Sequence, residues 1–430
     1  MRKPPSARTA LAVLTGVNLL NYVDRYIPAG AMPLILATFA VSDAKGGLLQ
    51  SLFMLPYAFV SPLAGLLGDR WRRFAIAGTG VLIWSAATFG SGLAPTFGVL
   101  LAARAIIGVG EASYSVVAPP LLGDYYPADQ RARVLGRFYA ALPVGSAIGF
   151  AIGGAVGSHF GWRWAFMLAG APGAVLGLLL LTFRDPPRRD AHAAAAARVA
   201  RAAAAAETGT ATAETTAAAI AGEGWRGLFA RPSYLYNVGA QTIYTFALGG
   251  LAAWMPTYFA RVRGIPLARA SIVFGAIVCL AGFAGTLGGG QLSDALSRRN
   301  RTAPFAMSGT ALVASLPFTL FAVLSPSPAI FWPAMFVTLT LLFLNTGPLN
   351  ACMTNVLPPE IRGRGFGLST MAIHLLGDAL SPVLIGLTSD RVGLQIPVVA
   401  CGAMLSLAGL LLLVGRHALA RDLRAIEATS

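Results

Sequence analysis

The chain has 430 residues, is 56% apolar and 11% charged, and carries a formal net charge of +15. A composition so apolar and so poor in charge excludes an ordinary soluble domain. The basic excess does not read as a nucleic-acid surface either, because Lys and Arg cluster in short gaps between apolar runs, the pattern of positive-inside membrane topology.

Apolar segments of roughly the twenty residues needed to cross a ~30 Å hydrocarbon core recur twelve times. They run over 9–37, 46–68, 74–93, 96–122, 134–158 and 162–183, then 233–260, 268–292, 303–324, 328–356, 365–388 and 394–415. The pattern predicts an all-α membrane protein of twelve transmembrane helices in two six-helix halves. Residues 1–183 and 233–416 form the halves, 184–232 a linker and 417–430 a tail. Of the 32 Lys and Arg, only Lys45, Arg163, Arg261, Arg263, Arg269 and Arg391 fall in gaps on the side away from the termini, and Arg25 and Arg104 lie inside spans. Linker, tail and both termini are therefore expected in the cytoplasm. The scarcity of Lys against Arg and the Ala-rich linker suggest a bacterial inner membrane.

The first segment also reads as a signal peptide, since Met1-Arg2-Lys3 precedes the apolar run from Ala10 to Leu20. The run breaks at Asn21 and Asp24 without a small-residue cleavage site, so a retained helix is the better reading. Asp24 and Arg25 in this segment, with Arg104 and Glu111 in the fourth, place four charges at bilayer depth. Each costs about 2.5–3.5 kcal/mol on insertion scales, so such residues persist mainly inside a bundle or beside a wet cavity. Neighbours on a helix point about 100° apart, whereas residues seven apart share a face. Asp24 is therefore expected to meet Arg104 and Arg25 to meet Glu111. Burial disfavours an ionised carboxylate and a nearby guanidinium favours it, so moving an arginine would change proton affinity. Asp24 is the first expectation for proton coupling and Glu111 the second, with Arg104 as modulator. Arg25, Arg104, Glu111, Asn21 and Tyr114 are candidates for a substrate headgroup cavity, and Phe53, Phe59 and Phe138 for flanking an acyl chain. A static charge network is the alternative.

Short motifs repeat between the halves. Gly65-Leu66-Leu67-Gly68-Asp69-Arg70-Trp71-Arg72-Arg73 closes the second segment, and Gly290-Gln291-Leu292-Ser293-Asp294-Ala295-Leu296-Ser297-Arg298-Arg299 closes the eighth. Pro127 to Arg133 is matched by Pro358 to Arg364, and Met32-Pro33 by Met255-Pro256. Three matches in one order at nearly one offset indicate an internal duplication. The paired loops resemble the signature of the major facilitator superfamily, with Arg72 and Ala295 as departures. Asn21-Tyr22-Val23-Asp24-Arg25-Tyr26, Val109-Gly110-Glu111-Ala112-Ser113-Tyr114, and His374-Leu375-Leu376-Gly377-Asp378 with Ser381-Pro382 resemble the spinster family of lipid transporters.

That resemblance implies a proton-coupled, alternating-access carrier of amphiphilic lipids such as lysophospholipids or sphingoid phosphates. It also implies a cytoplasmic gate formed by Gly65, Asp69, Arg70, Arg73, Asp294, Arg298, Arg131 and Arg362. In the second half, Asn345 and Tyr244 are cavity candidates. His374 and Asp378, four apart, form a possible pair that is either a titrating relay or ordinary packing. Asp390 and Arg391 read as boundary residues.

The expected partners are membrane lipids, an amphiphilic substrate and protons, with no nucleic acid, for a monomer without cofactor or metal. Lys3 and Lys45 follow no P-loop glycine pattern, no hydrolase or zincin motif occurs, and the three cysteines lie in separate segments. A carrier of small organic anions or drugs, a non-transporting scaffold and an uncoupled lipid scramblase remain alternatives.

Overall fold

The computed structural model describes residues 4–187, 227–357 and 359–429; most of the linker lies outside the described residues, as do the side chains of Asp69, Asp129 and Glu360. The chain is all-helical. The first half comprises α1 (Ala7–Phe39), α2 (Asp43–Arg70), α3 (Arg73–Gly92), α4 (Phe97–Tyr125), α5 (Arg133–Phe160) and α6 (Trp162–Thr182). The second comprises α7 (Pro232–Arg261), α8 (Leu267–Ser297), α9 (Ala303–Leu324), α10 (Pro328–Val356), α11 (Arg364–Val392) and α12 (Gln395–Thr429).

Local chemistry sets several starts. The Ser6 hydroxyl accepts from the Thr9 amide at 3.1 Å to open α1, and Thr96 accepts from Val99 at 3.3 Å to open α4. Among the described residues, ten helices are long and apolar enough to cross a membrane. The other two, α1 with 33 residues and α7 with 30, are long enough but interrupted by polar side chains. Asn18, Asn21 and Asp24 of α1 and Asn237 of α7 are buried against neighbouring helices, as polar groups in a lipid-facing bundle must be. The last helix runs on through the segment read as a tail. There the Asp422 carboxylate accepts from the Ser233 amide at 3.0 Å, capping the start of α7.

Small residues set how closely the helices approach. Along α5, a Cβ on Gly145, Gly149 or Gly153 would collide with the backbone carbonyls of Leu19, Val23 and Ile27 of α1. A glycine at every fourth position thus lets two backbones meet. α5 and α11 each contain one π-helical turn, Ile152–Val156 and Ile373–Asp378. The second is closed by the Ala379 amide donating to the His374 carbonyl at 3.0 Å.

The halves meet most closely at the end of the bundle away from the termini, called here the outer end. Gly47 of α2 lies against the Pro382 carbonyl, and Gly386 of α11 lies against the Asp43 carbonyl. Ser51 of α2 donates to the Ala379 carbonyl, and Ser271 of α8 donates to the Gly30 carbonyl of α1 at 3.3 Å. Toward the terminal end, α2 and α11 part around a cleft of about 410 Å³.

Candidate transport site

The four charges converge where α1, α2, α3 and α4 pack. Arg25 Nη2 lies 3.0 Å from Glu111 Oε2, and Glu111 is fully buried. Asp24, on the adjacent position, faces away toward α3 and accepts from the Thr88 hydroxyl at 3.2 Å. Arg104 is fully buried and donates from Nε to the Leu49 carbonyl of α2 at 3.1 Å. The expected Asp24–Arg104 ion pair is absent among the described residues. Arg104 Nη1 and Nη2 and Asp24 Oδ1 have no hydrogen-bond partner there, although Arg104 stays within electrostatic range of both carboxylates. Cluster atoms left without a partner also include Glu111 Oε1, Arg25 Nε and Asn21 Nδ2.

Phe53 accounts for much of this arrangement. Its ring lies 4.9 Å from the Arg25 guanidinium carbon and 4.8 Å from that of Arg104. One buried aromatic thus stabilises two cations through its faces, each such contact contributing about 0.5–2 kcal/mol. Tyr22 and Tyr57 complete the aromatic surround of Arg25 at 5.2 and 5.3 Å. The sequence suggested Phe53 as an acyl-chain neighbour; it is instead buried between the arginines. Phe59 is exposed on the outside of α2, and Phe138 is buried.

A cavity of about 110 Å³ opens beside the cluster, lined by Arg25 and Tyr26 of α1, Gln50 and Met54 of α2, Gly249 of α7 and Asp378 of α11, with their neighbours. Asp378 Oδ2 is 2.9 Å from His374 Nδ1, both residues lying in the π turn of α11. His374 also borders the larger cleft, where Tyr57 and Met371 contribute an apolar lining, and its ring meets Tyr57 edge-on at 5.9 Å. A small polar chamber and a wider apolar cleft therefore share the His374–Tyr57 wall.

Other sequence candidates sit elsewhere. Tyr114 is buried and its hydroxyl donates to the Leu14 carbonyl. Tyr244 is buried beside Thr346, and Asn345 donates to the Leu342 carbonyl at 2.6 Å where α10 breaks. None of the three lines either cavity. Asn21 stands one turn before Arg25, near Glu111.

At the terminal end, Arg73 pairs with Asp124 at 2.7 Å within the first half. Arg131 and Arg362, equivalent in the duplication, each donate to a carbonyl five residues earlier, Tyr126 and Leu357. A Cβ on Gly65 would touch only Val116. Arg70, Asp294 and Arg298 are exposed, and the Asp69 side chain lies outside the description. In this conformation the described contacts of the motif stay within each half.

The clearest residue missed from sequence is Asp390. Its two carboxylate oxygens accept from the Asp43 and Ala44 amides at 2.9 and 3.0 Å, capping α2 from the opposite half. Ser389 donates to Asp43 at 2.7 Å, and Arg261 reaches the same carboxylate at 2.6 Å. The available signal was an aspartate ending one helix and a bare helix start on another.

Comparison with known proteins fits this geometry. The Major Facilitator Superfamily profile matches residues 14–382. Protein spinster homolog 1 of Homo sapiens is 34% identical over 410 residues, covering 90% of this chain and 74% of that protein. The chain belongs to the spinster family of major facilitator transporters. This transporter is also 32% identical over 403 residues to a sphingosine-1-phosphate transporter of Xenopus tropicalis, covering 89% of this chain and 74% of that one. Among solved structures, a bacterial homolog of the human lysosomal transporter Spinster, inward-facing and unoccupied, superposes with a TM-score of 0.81 at 25% identity, over 97% of this chain and 98% of that one. The spinster-family assignment makes the protein a multi-pass transporter and not an enzyme.

Proposed function

We propose that this spinster-type transporter moves single-chain amphiphilic lipids with a phosphate headgroup, of the lysophospholipid or sphingoid phosphate type, by proton-coupled alternating access. The observation that carries the reading is the juxtaposition of a buried cluster of two carboxylates and two guanidiniums with a cavity that Arg25 itself lines. Asp24 is the proton-coupling group. Its oxygen Oδ1 has no partner among the described residues, and only the neutral Thr88 hydroxyl donates to it in the structure. Protonating it changes the charge that Arg104 feels, and Arg104 has two nitrogens free to re-pair as the halves rock.

Arg25 is the headgroup residue, because a guanidinium recognises phosphate through paired donors. The apolar α2–α11 cleft suits the chain. The separation of halves at the terminal end makes this the conformation open toward the cytoplasm, with both termini there, in a bacterial inner membrane.

Reconstituted protein should take up a labelled lysophospholipid faster when a pH gradient is imposed. Asp24→Asn should abolish that acceleration while leaving lipid exchange without a gradient. Full gradient-driven uptake by Asp24→Asn would refute the proton site, and a wild-type protein that carries only soluble organic anions would refute the lipid reading.

A further inference from the structure

The small chamber has walls of opposite charge supplied by opposite halves of the molecule. Arg25 of α1 borders it, and so does Asp378 of α11. Each is only partly committed. Arg25 uses Nη2 on Glu111, whereas Asp378 uses Oδ2 on His374 Nδ1. Asp378 Oδ1 makes no hydrogen bond among the described residues. It lies beside Gly249, where a Cβ would stand 3.1 Å from it. Gly249 thus keeps the approach to that oxygen open.

The remaining lining has no other charged side chain. Its volume of about 110 Å³ is several times the roughly 10–15 Å³ that a single water occupies on this measure, enough for a compact headgroup and too little for a hydrocarbon tail as well. A purely anionic headgroup drawn to Arg25 would face the Asp378 carboxylate in a poorly solvated space, where like charges repel more strongly than in water. A headgroup carrying an ammonium beside its phosphate satisfies both walls.

We propose that Asp378 is the cation-reading half of the substrate site, so that the transporter selects zwitterionic amphiphiles bearing an ammonium group. In this arrangement Arg25 takes the phosphate and Asp378 Oδ1 takes the ammonium. His374, donating from Nδ1, is a positioning residue that fixes the carboxylate without consuming its charge. The proposal rests on the lipid-carrier reading and adds the chemical class of the head.

The test compares lysophosphatidylethanolamine with lysophosphatidylglycerol of the same acyl chain. Both carry a phosphate, and only the first carries an ammonium. Binding is measured by intrinsic tryptophan fluorescence on the full-length protein in a non-ionic detergent. Wild type should prefer the ethanolamine lipid by about tenfold, the size of one charge-assisted hydrogen bond. Asp378→Asn should bring the ratio near one while retaining affinity for the glycerol lipid, which also reports that the variant is folded. His374→Gln, which keeps a donor, should preserve more of the preference than His374→Ala. Equal binding of the two lipids by wild type would overturn the subsite while leaving the lipid reading standing. A parallel loss of both lipids in Asp378→Asn would overturn it as well. Failure of wild type to bind either lipid would overturn both readings together.

Discussion

The two ends of the bundle use the same device in opposite ways. At the terminal end, carboxylates cap helices of their own half: Asp185 accepts from the Arg73 and Phe74 amides at the start of α3, and Asp422 caps α7. At the outer end, Asp390 of the second half caps α2 of the first, and Arg261 reaches across to Asp43. Caps within a half stabilise that half whatever the other does. A cap between halves stabilises only the conformation in which they touch. The same few hydrogen bonds therefore serve fold stability at one end and conformational preference at the other.

This contrast can be broken by substitution. The largest effect is expected for Asp124→Asn, which leaves the mostly buried Arg73 guanidinium without its ion pair. Removing one partner of such a pair costs about 3 kcal/mol, read as a lower thermal unfolding temperature with no change in the outer end's open fraction. Gly386→Val should do the reverse. Its side chain would press on the Asp43 carbonyl, and overpacking of about 1–3 kcal/mol should open the outer end, measured as longer spin-label distances between the outer loops of the two halves.

Asp390→Asn removes the anion from the α2 start, an effect of about 1 kcal/mol. It should raise the outward-open population about fivefold in the same measurement. Arg261→Gln should have the smallest effect, under about 1 kcal/mol and diminishing with added salt, because its side chain is 39% exposed. If Asp390→Asn lowered unfolding temperature as much as Asp124→Asn without moving the spin labels, the distinction between the two ends would collapse.

Much of the architecture was legible because membranes impose length and composition together. The spans, the duplicated loops and the four charges stand out from apolar surroundings, and the spacing of Arg104 and Glu111 limits which face of α4 each can occupy. Asp24 was harder to place. Its neighbour Thr88 lies on α3, a helix with no charge inside its span to draw attention, and the ring of Phe53 packs against the arginine that Asp24 was expected to meet. Asp390 was read as a boundary residue because it caps amides more than 340 positions away, and no local pattern encodes that register. Asn345 and Tyr244 were polar residues whose needs are met by nearby helix groups, which sequence cannot distinguish from residues facing a cavity.

The π turn in α11 carries a consequence for how tolerant this helix is to length changes. Such a turn accommodates one more residue than the α-helix around it. Deleting a single residue between Ile373 and Asp378 would let the segment heal into continuous α-helix, yet would turn everything after it by about 100°. Gly386 would rotate off the Asp43 carbonyl, and Asp390 off the start of α2. A one-codon deletion in the membrane interior would thus act as a rotation at the outer surface, unlocking that end without altering any residue there.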